Sequence, residues 1–293
     1  MKPVPFSFAR PSTLHDALEA LASDAHAKVL AGGQSLIPLL SMRLAAPSAL
    51  VDINALTELA YVRSDEKGVR VGALARHAEV AADPDARRVQ PLLAETLRMV
   101  AHATIRNRGT TVGSIVHADA AAEMPAVLCL LQGTVTAASL RGTRTIAAED
   151  LYAGPLETTL RPDEIATEAF FPALPADAGA AFDEVSRRHG DYALCGVAAV
   201  VRADERGALT SVRAGYLSVC EVPTVIDLSE VFADGTLTDT ALDHAADLAL
   251  ASLEPEGDIH ADAGYRRHLA AVLTRRVVRR AYEHRTRRAG GAA

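Results

Sequence analysis

Tryptophan is absent from this chain of 293 residues, and lysine (three) and cysteine (three) are scarce. The cysteines, Cys129, Cys195 and Cys220, are scattered, with no C-x-x-C spacing. That excludes a disulfide framework and an iron–sulfur or zinc centre held by this chain alone, and it predicts a reducing, cytoplasmic compartment. No apolar run approaches the roughly 20 residues that cross a bilayer, and Met1-Lys2-Pro3-Val4-Pro5 lacks the apolar core of a secretion signal. There is no internal repeat, and no low-complexity segment beyond the Ala/Gly tail. What remains is 49% hydrophobic and 23% charged, the composition expected of a soluble globular protein long enough for two or three domains.

With so little lysine, basic charge means arginine, and it is unevenly placed. Residues 265–293 hold nine arginines against the single acid Glu283, although the whole chain carries a net charge of −7. Two readings follow: a solvated last helix, or a docking surface for an acidic partner protein. Nucleic acid is disfavoured, because the acidic remainder would repel phosphate.

The stretch most charged with meaning is Lys28-Val29-Leu30-Ala31-Gly32-Gly33-Gln34-Ser35-Leu36-Ile37-Pro38. Val29 and Leu30 end an apolar run that predicts a buried strand. Gly32 and Gly33 remove every Cβ from the turn, so backbone N–H groups can approach a ligand. Ser35 is a suitable N-cap, and Pro38 falls in the first turn of the helix that follows. Strand, glycine turn and helix start together describe an anion site, although the same pattern taken alone is more often an ordinary structural turn. The spacing matches neither the G-x-G-x-x-G nor the G-x-x-x-x-G-K-[ST] fingerprint.

Taken in order, 1–57 reads as a small α/β unit, with a helix capped by Ser12 or Thr13 (apolar at Leu14, Ala17, Leu18, Leu21) and a strand at Leu50–Ile53. A second unit, 58–175, has a strand at Val69–Gly72, helices near 76–83 and 91–102, a second glycine-bearing turn at 105–114, a helix over 118–132, and strands at Val135–Ala137 and Thr145–Ile146. Pro172 and Pro175, with Asp177 and Gly179 beyond, mark a linker. The third unit, 176–293, begins with strands, including Gly196–Val201, and turns helical after Asp239.

Six motifs now stand in order: Ala31–Pro38 followed by Val51-Asp52-Ile53-Asn54; Ile105-Arg106-Asn107-Arg108-Gly109-Thr110; His117-Ala118-Asp119; Ala126-Val127-Leu128; Gly190-Asp191-Tyr192-Ala193-Leu194; and Tyr265-Arg266-Arg267-His268-Leu269. Together they resemble the medium, FAD-binding subunit of carbon monoxide dehydrogenase and related molybdenum hydroxylases, akin to the flavin domain of xanthine dehydrogenase. The resemblance implies an α+β chain: a vanillyl-alcohol-oxidase/p-cresol methylhydroxylase-type FAD-binding fold of two α/β subdomains, then a C-terminal α+β domain. It implies FAD as the cofactor, with molybdopterin on a large partner subunit and [2Fe-2S] clusters on an iron–sulfur partner, in a heterotrimer that can dimerise. Electrons would pass from the clusters through the flavin to an external acceptor such as NAD or a quinone.

Carried over by position, Lys28, Val29, Leu30, Ala31, Gly32, Gly33, Gln34, Ser35 and Leu36 would line the pyrophosphate and ribityl chain. Ile105, Gly109, Thr110, Gly113 and Ser114 would supply the opposite loop, and His117 and Glu123 the ribityl and adenosine side, Glu123 standing where the family usually has Asp. Tyr192, one of few aromatics, would shield the isoalloxazine, and Leu160 would pack on it. Each residue also has a plainer reading: His117 as a structural histidine, Glu123 as a first-turn acid, Tyr192 and Leu160 as packing. Arg106 and Arg108 face either solvent or a phosphate.

One departure stands out. Where the family has Thr-Ile-Gly-Gly-Ser, this chain has Thr110-Thr111-Val112-Gly113-Ser114. A β-branched residue resists φ > 0, so Val112 is expected to keep its φ in the β region, leaving Gly113 alone to approach the cofactor. No catalytic base, nucleophile or metal site is expected in the chain. Two other functions stay open: a standalone flavin dehydrogenase or oxidase, with the ring face near Tyr192 open to a small molecule, and a flavin-free scaffold, suggested by Val112.

Overall fold

The structure, a computed structural model, describes residues 1–290; residues 291–293, the end of the expected third unit and of its basic stretch, lie outside the described residues. The chain opens with β1 (Ser7–Ala9), α1 (Leu14–Ala22), β2 (Lys28–Leu30), α2 (Leu36–Met42) and β3 (Ala49–Asp52), the strands forming a parallel sheet in the order β1-β3-β2. Thr13 caps α1, its hydroxyl accepting the Asp16 N–H at 3.1 Å, and Ala17, Leu18 and Leu21 are buried. Two local expectations fail. β2 is an edge strand with Lys28 exposed and Val29 and Leu30 half-buried, because it borders a cleft. Ser35 begins α2 without capping it: its backbone is already helical (φ −105°, ψ −48°), so its hydroxyl does not return to the first turn as that of an extended N-cap residue does.

Next come β4 (Val62–Asp65), β5 (Gly68–Gly72), α3 (His77–Ala82), α4 (Pro84–Val89), α5 (Pro91–Leu97), α6 (Ala103–Arg106), α7 (Thr111–His117), α8 (Glu123–Leu130), β6 (Thr134–Ser139), β7 (Gly142–Ala147), the short pair β8 (Tyr152–Gly154) and β9 (Glu157–Thr158), and β10 (Ile165–Pro172). β10 enters between β5 and β6, giving an antiparallel sheet ordered β4-β5-β10-β6-β7. The helix expected over 91–102 breaks after Leu97. Ala101 takes a left-handed φ of 43°, and Arg106 donates to the carbonyls of Val100 (2.8 Å) and Ala101 (2.7 Å). The helix expected over 118–132 starts only at Glu123, since Ala118 (φ 56°) ends α7 in the left-handed region.

The last unit is an antiparallel sheet of β11 (Ala178–Ser186), β12 (Ala193–Ala203), β13 (Leu209–Leu217) and β14 (Thr224–Asp227), followed by α9 (Asp239–Ser252) and α10 (Ala263–Gly290). This sheet is covered on both faces. Ala181, Val197, Ala199 and Val201 pack with Leu273, Val277 and Val278 of α10, whereas Ala178, Ala180, Phe182 and Ala198 join the core containing Leu92, Leu93, Met124 and Val127 from α5 and α8. β12 therefore reads as a continuous apolar run rather than an alternating one. A third core, under the first sheet, takes Ala73, Leu74, Ala138 and Ile165 from the second unit.

α10 buries one face, and most of the basic charge it carries is engaged within the chain. Among the described residues, eight of its nine arginines have partners within the chain. Arg275 pairs with Asp243 (2.6 Å), Arg279 with Asp239, and Arg276 with Asp183 (3.0 Å). Arg280 reaches Glu95 on α5 (2.7 Å), whose Oε1 also accepts the Phe182 N–H. The buried Arg266 donates to the carbonyls of Leu194 (2.6 Å) and Ser218 (3.0 Å). Half-exposed pairs of this kind each contribute little, but buried guanidinium-to-carbonyl bonds fix where the helix lies.

The crossing depends on Gly179. A Cβ there would stand 2.1 Å from the Ala281 carbonyl oxygen and 2.3 Å from the Arg285 nitrogen, both backbone atoms of α10. Gly179→Ala is expected to lift α10 from the sheet and to cost about 1–3 kcal/mol. Urea unfolding checks this, and an unchanged midpoint would contradict the close crossing.

Candidate functional site

The glycine turn after β2 leaves backbone groups without partners. Gly33 takes φ +72°, its carbonyl accepts the Ile37 N–H (3.1 Å), and the Gln34 side chain folds back on the Gly32 carbonyl (3.0 Å). The N–H groups of Gly32, Gly33, Gln34 and Ser35 find no acceptor among the described residues. Four successive unpaired donors, with no Cβ on the first two residues, suit an anionic ligand.

The second loop meets the first backbone to backbone. A Cβ on Gly32 would lie 2.4 Å from the Arg108 carbonyl oxygen and 2.7 Å from the Gly109 Cα. Gly32 is thus required for the contact between loops, and not only for access to a ligand. Thr110 caps α7 through its hydroxyl, which accepts the Gly113 N–H (3.1 Å). This corrects the expectation for Val112. Val112 lies in the first turn of α7, helical and 2% exposed within the core, and Gly113 has its N–H already engaged. The N–H groups of this loop left without an acceptor among the described residues are those of Thr110 and Val112. Glycine at 112 would remove core packing rather than open a loop.

Between the first and second units lies a cleft of about 900 Å³, near the upper end of the ~300–1,000 Å³ usual for small-molecule sites. Lys28 through Leu36, Ile105, Gly109, Thr110, Gly113, Ser114, His117, Glu123, Leu160 and Tyr192 all line it. Tyr192 stands on the rim, 66% exposed, on a loop from the third unit. That loop is seated against the second unit: Gly190 takes φ +86°, and a Cβ on it would strike the His102 ring at 2.5 Å. Arg106 and Arg108 do not line the cleft; Arg106 is occupied by the Val100 and Ala101 carbonyls, and Arg108 is exposed.

One further residue of the cleft, His77, has no signal in the sequence. It is buried, lines the cleft, donates its N–H to the Gly109 carbonyl (3.0 Å), and has its Nδ1 3.2 Å from the Thr111 hydroxyl. Burial, and then the Arg106 charge, push its pKa down to about 4, so the ring is neutral at physiological pH. No local pattern marks it, since its partners lie some thirty residues downstream.

Glu123 is also buried, and burial raises its pKa to about 7, outweighing its own N–H at the start of α8. Glu184, on the face of β11 that continues Ala180 and Phe182, is 9% exposed with its Oε2 unpartnered. Burial, with Glu123 and Asp183 nearby, lifts it to about 8. The two carboxyls face each other electrostatically where the third unit meets the second.

Residues 4–174 match the family described as FAD binding domain in molybdopterin dehydrogenase, and residues 180–281 match the CO dehydrogenase flavoprotein C-terminal domain. The chain belongs to this family of flavoprotein subunits. It is 40% identical over 289 residues to the 6-hydroxypseudooxynicotine dehydrogenase complex subunit alpha of Paenarthrobacter nicotinovorans, covering 98% of this chain and 97% of that one. A chain in the structure of carbon monoxide dehydrogenase from Hydrogenophaga pseudoflava superposes with a TM-score of 0.91 at 31% identity, covering 97% and 99%. A chain of quinoline 2-oxidoreductase from Pseudomonas putida 86 does so at 0.90 and 36%, covering 97% and 99%. The flavoprotein subunit therefore has the p-cresol methylhydroxylase-type FAD-binding fold and an α+β C-terminal domain, and it is an oxidoreductase subunit whose cofactor is FAD. Among the described residues no helix is long and apolar enough to cross a membrane.

The buried carboxyls give the flavoprotein a signed pH dependence. A folded-state pKa raised from 4.5 to about 8 makes Glu184 favour folding most at low pH, and that contribution is lost as pH rises towards 8. Glu184→Gln is expected to be close to wild type at pH 5 and more stable by about 1–3 kcal/mol at pH 8.5. Urea unfolding at the two pH values checks the sign; a variant less stable at pH 8.5 would mean that the carboxylate has a cationic partner.

Proposed function

We propose that this chain is the electron-transfer subunit of a heterotrimeric molybdenum hydroxylase, standing between a [2Fe-2S] subunit and an external small-molecule acceptor such as NAD or a quinone, with molybdopterin on the large subunit. The observation that carries the cofactor's place is the run of unpartnered N–H groups from Gly32 to Ser35, faced across one cleft by a second glycine-bearing loop. Those donors fit a pyrophosphate, which needs several N–H groups and no intervening side chain. FAD, when bound, supplies the redox chemistry, while the protein supplies binding, orientation and electrostatics.

The residues divide the work by position. Residues 28–36 hold the diphosphate and ribityl chain; Ile105, Gly109, Thr110, Gly113 and Ser114 close the opposite wall; His117 and Glu123 lie towards the ribityl and adenosine side; Leu160 and Tyr192 cover the ring. Assigning the first two units (1–57 and 58–175) to the cofactor and the third (176–293) to ring cover agrees with Tyr192 reaching the rim from beyond β11.

Gly32→Ala is expected to lower flavin content at least tenfold, because its Cβ wedges the loops apart; a flavin-replete variant would remove residues 28–36 from the site. Tyr192→Ala is expected to keep FAD bound, with brighter flavin fluorescence and faster reoxidation by oxygen. Unchanged values of both would place Tyr192 away from the ring. The functional reading itself is tested by purification from the native source, where flavin and iron–sulfur absorption with two co-purifying chains is expected. Full substrate-dependent reduction of the isolated chain would favour a standalone dehydrogenase instead.

A further inference from the structure

Two side chains outside the cleft lining join the two loops. Asn54, just after β3, donates from Nδ2 to the Ala31 carbonyl (2.8 Å), and its Oδ1 accepts from Arg76 Nη2 (2.8 Å). Arg76 Nη1 donates to the Arg108 carbonyl (2.7 Å). An unbroken chain of contacts thus runs from the carbonyl before Gly32 to the carbonyl before Gly109, and it ends on the same oxygen that a Cβ on Gly32 would strike.

Both members are themselves anchored. The Asp52 carboxylate accepts the Asn54 N–H (3.0 Å) and Nδ2 (2.6 Å). The Arg76 N–H donates to Glu79 Oε2 (2.8 Å), and Arg76 pairs with Thr110 in an isolated β-bridge. A guanidinium offers two donors in a fixed plane, so it can hold an amide oxygen and a carbonyl oxygen at one separation, which a lysine ammonium on a flexible stem does not do. The peptide unit is planar and trans, so the C=O of Ala31 and the N–H of Gly32 point in opposite directions. Fixing Ala31 on Asn54 therefore aims the unpartnered Gly32 N–H away from Asn54.

We propose that Arg76 and Asn54 are a positioning pair, a strut that sets the separation of the two cofactor loops and the direction of the Gly32 N–H without touching the cofactor. The proposal rests on the cofactor reading above and adds to it the residues that hold the cradle open at one width.

The test is FAD titration of the full-length chain, freed of flavin, followed by flavin fluorescence. Arg76→Met and Asn54→Ala are each expected to raise the Kd for FAD about tenfold, the effect of losing one charge-assisted hydrogen bond. The double variant is expected to lose little more than either single one, since both cut one connection. The thermal midpoint of the flavin-free protein is expected to stay near that of wild type, a readout that separates positioning from general loosening. Arg76→Lys, able to hold one acceptor, should recover part of the affinity. If Arg76→Met fails to fold, Asn54→Asp serves in its place: it keeps the Arg76 contact, sets an acceptor against the Ala31 carbonyl, and should weaken FAD binding. Wild-type affinity in the folded single variants, or losses that simply multiply in the double, overturns the strut alone. A wild-type chain that takes up no FAD overturns the cofactor reading and the strut with it.

Discussion

Unpaired backbone amides set the terms for this molecule. A protein can leave N–H groups unpartnered only where something else satisfies them, and here four in succession, Gly32 to Ser35, without acceptors among the described residues, lie along one wall of a cleft. The two loops come closer than side chains would allow. Gly32 lies against the backbone at Arg108 and Gly109, where a Cβ would have no room. The edge position of β2 puts the first turn on the cleft, and the second turn follows α6.

What was legible in the sequence was what is local. Glycines in a turn, a threonine before an apolar helix, and ordered motifs around the cleft all carry their meaning within a few residues. Their gathering into one cleft was legible through the family resemblance. The expectations that failed did so where a distant segment decided the outcome. Val29 and Leu30 read as buried until the cleft beside them is known. Val112 looked like an intrusion into a glycine loop, whereas it is a core residue of a helix that Thr110 caps. His77, Arg76 and Glu184, and the role of Asn54 within its motif, were hidden because each acts through partners more than twenty residues away or in another unit. The ion pairs of the basic stretch were hidden for the same reason: its partners, Glu95, Asp183, Asp239 and Asp243, are spread over half the chain.

Charge is used in two opposite ways. Around α10, arginines meet carboxylates at half-exposed positions, where guanidinium stays charged at any physiological pH and desolvation is modest. On α8 and β11, Glu123 and Glu184 are buried, and burial first, then the neighbouring carboxyls (Asp119 for Glu123; Glu123 and Asp183 for Glu184), favour the neutral acid. The first arrangement fixes geometry across a wide pH range. The second makes the junction beneath the cleft responsive to pH near neutrality.

The sheet of the third unit has no solvent face of its own. One side belongs to α9 and α10, and the other is part of the core built by α5 and α8. The two stretches that match separate families along the chain, 4–174 and 180–281, are therefore not interchangeable parts. Grafting the second stretch from a relative would oppose a foreign sheet face to Leu92, Leu93, Met124 and Val127, and would strand Glu95 without Arg280. A substitution on either side of that seam is therefore felt on the other: the loop that carries Tyr192 to the rim of the cleft hangs from a sheet whose inner face is shaped by α5 and α8.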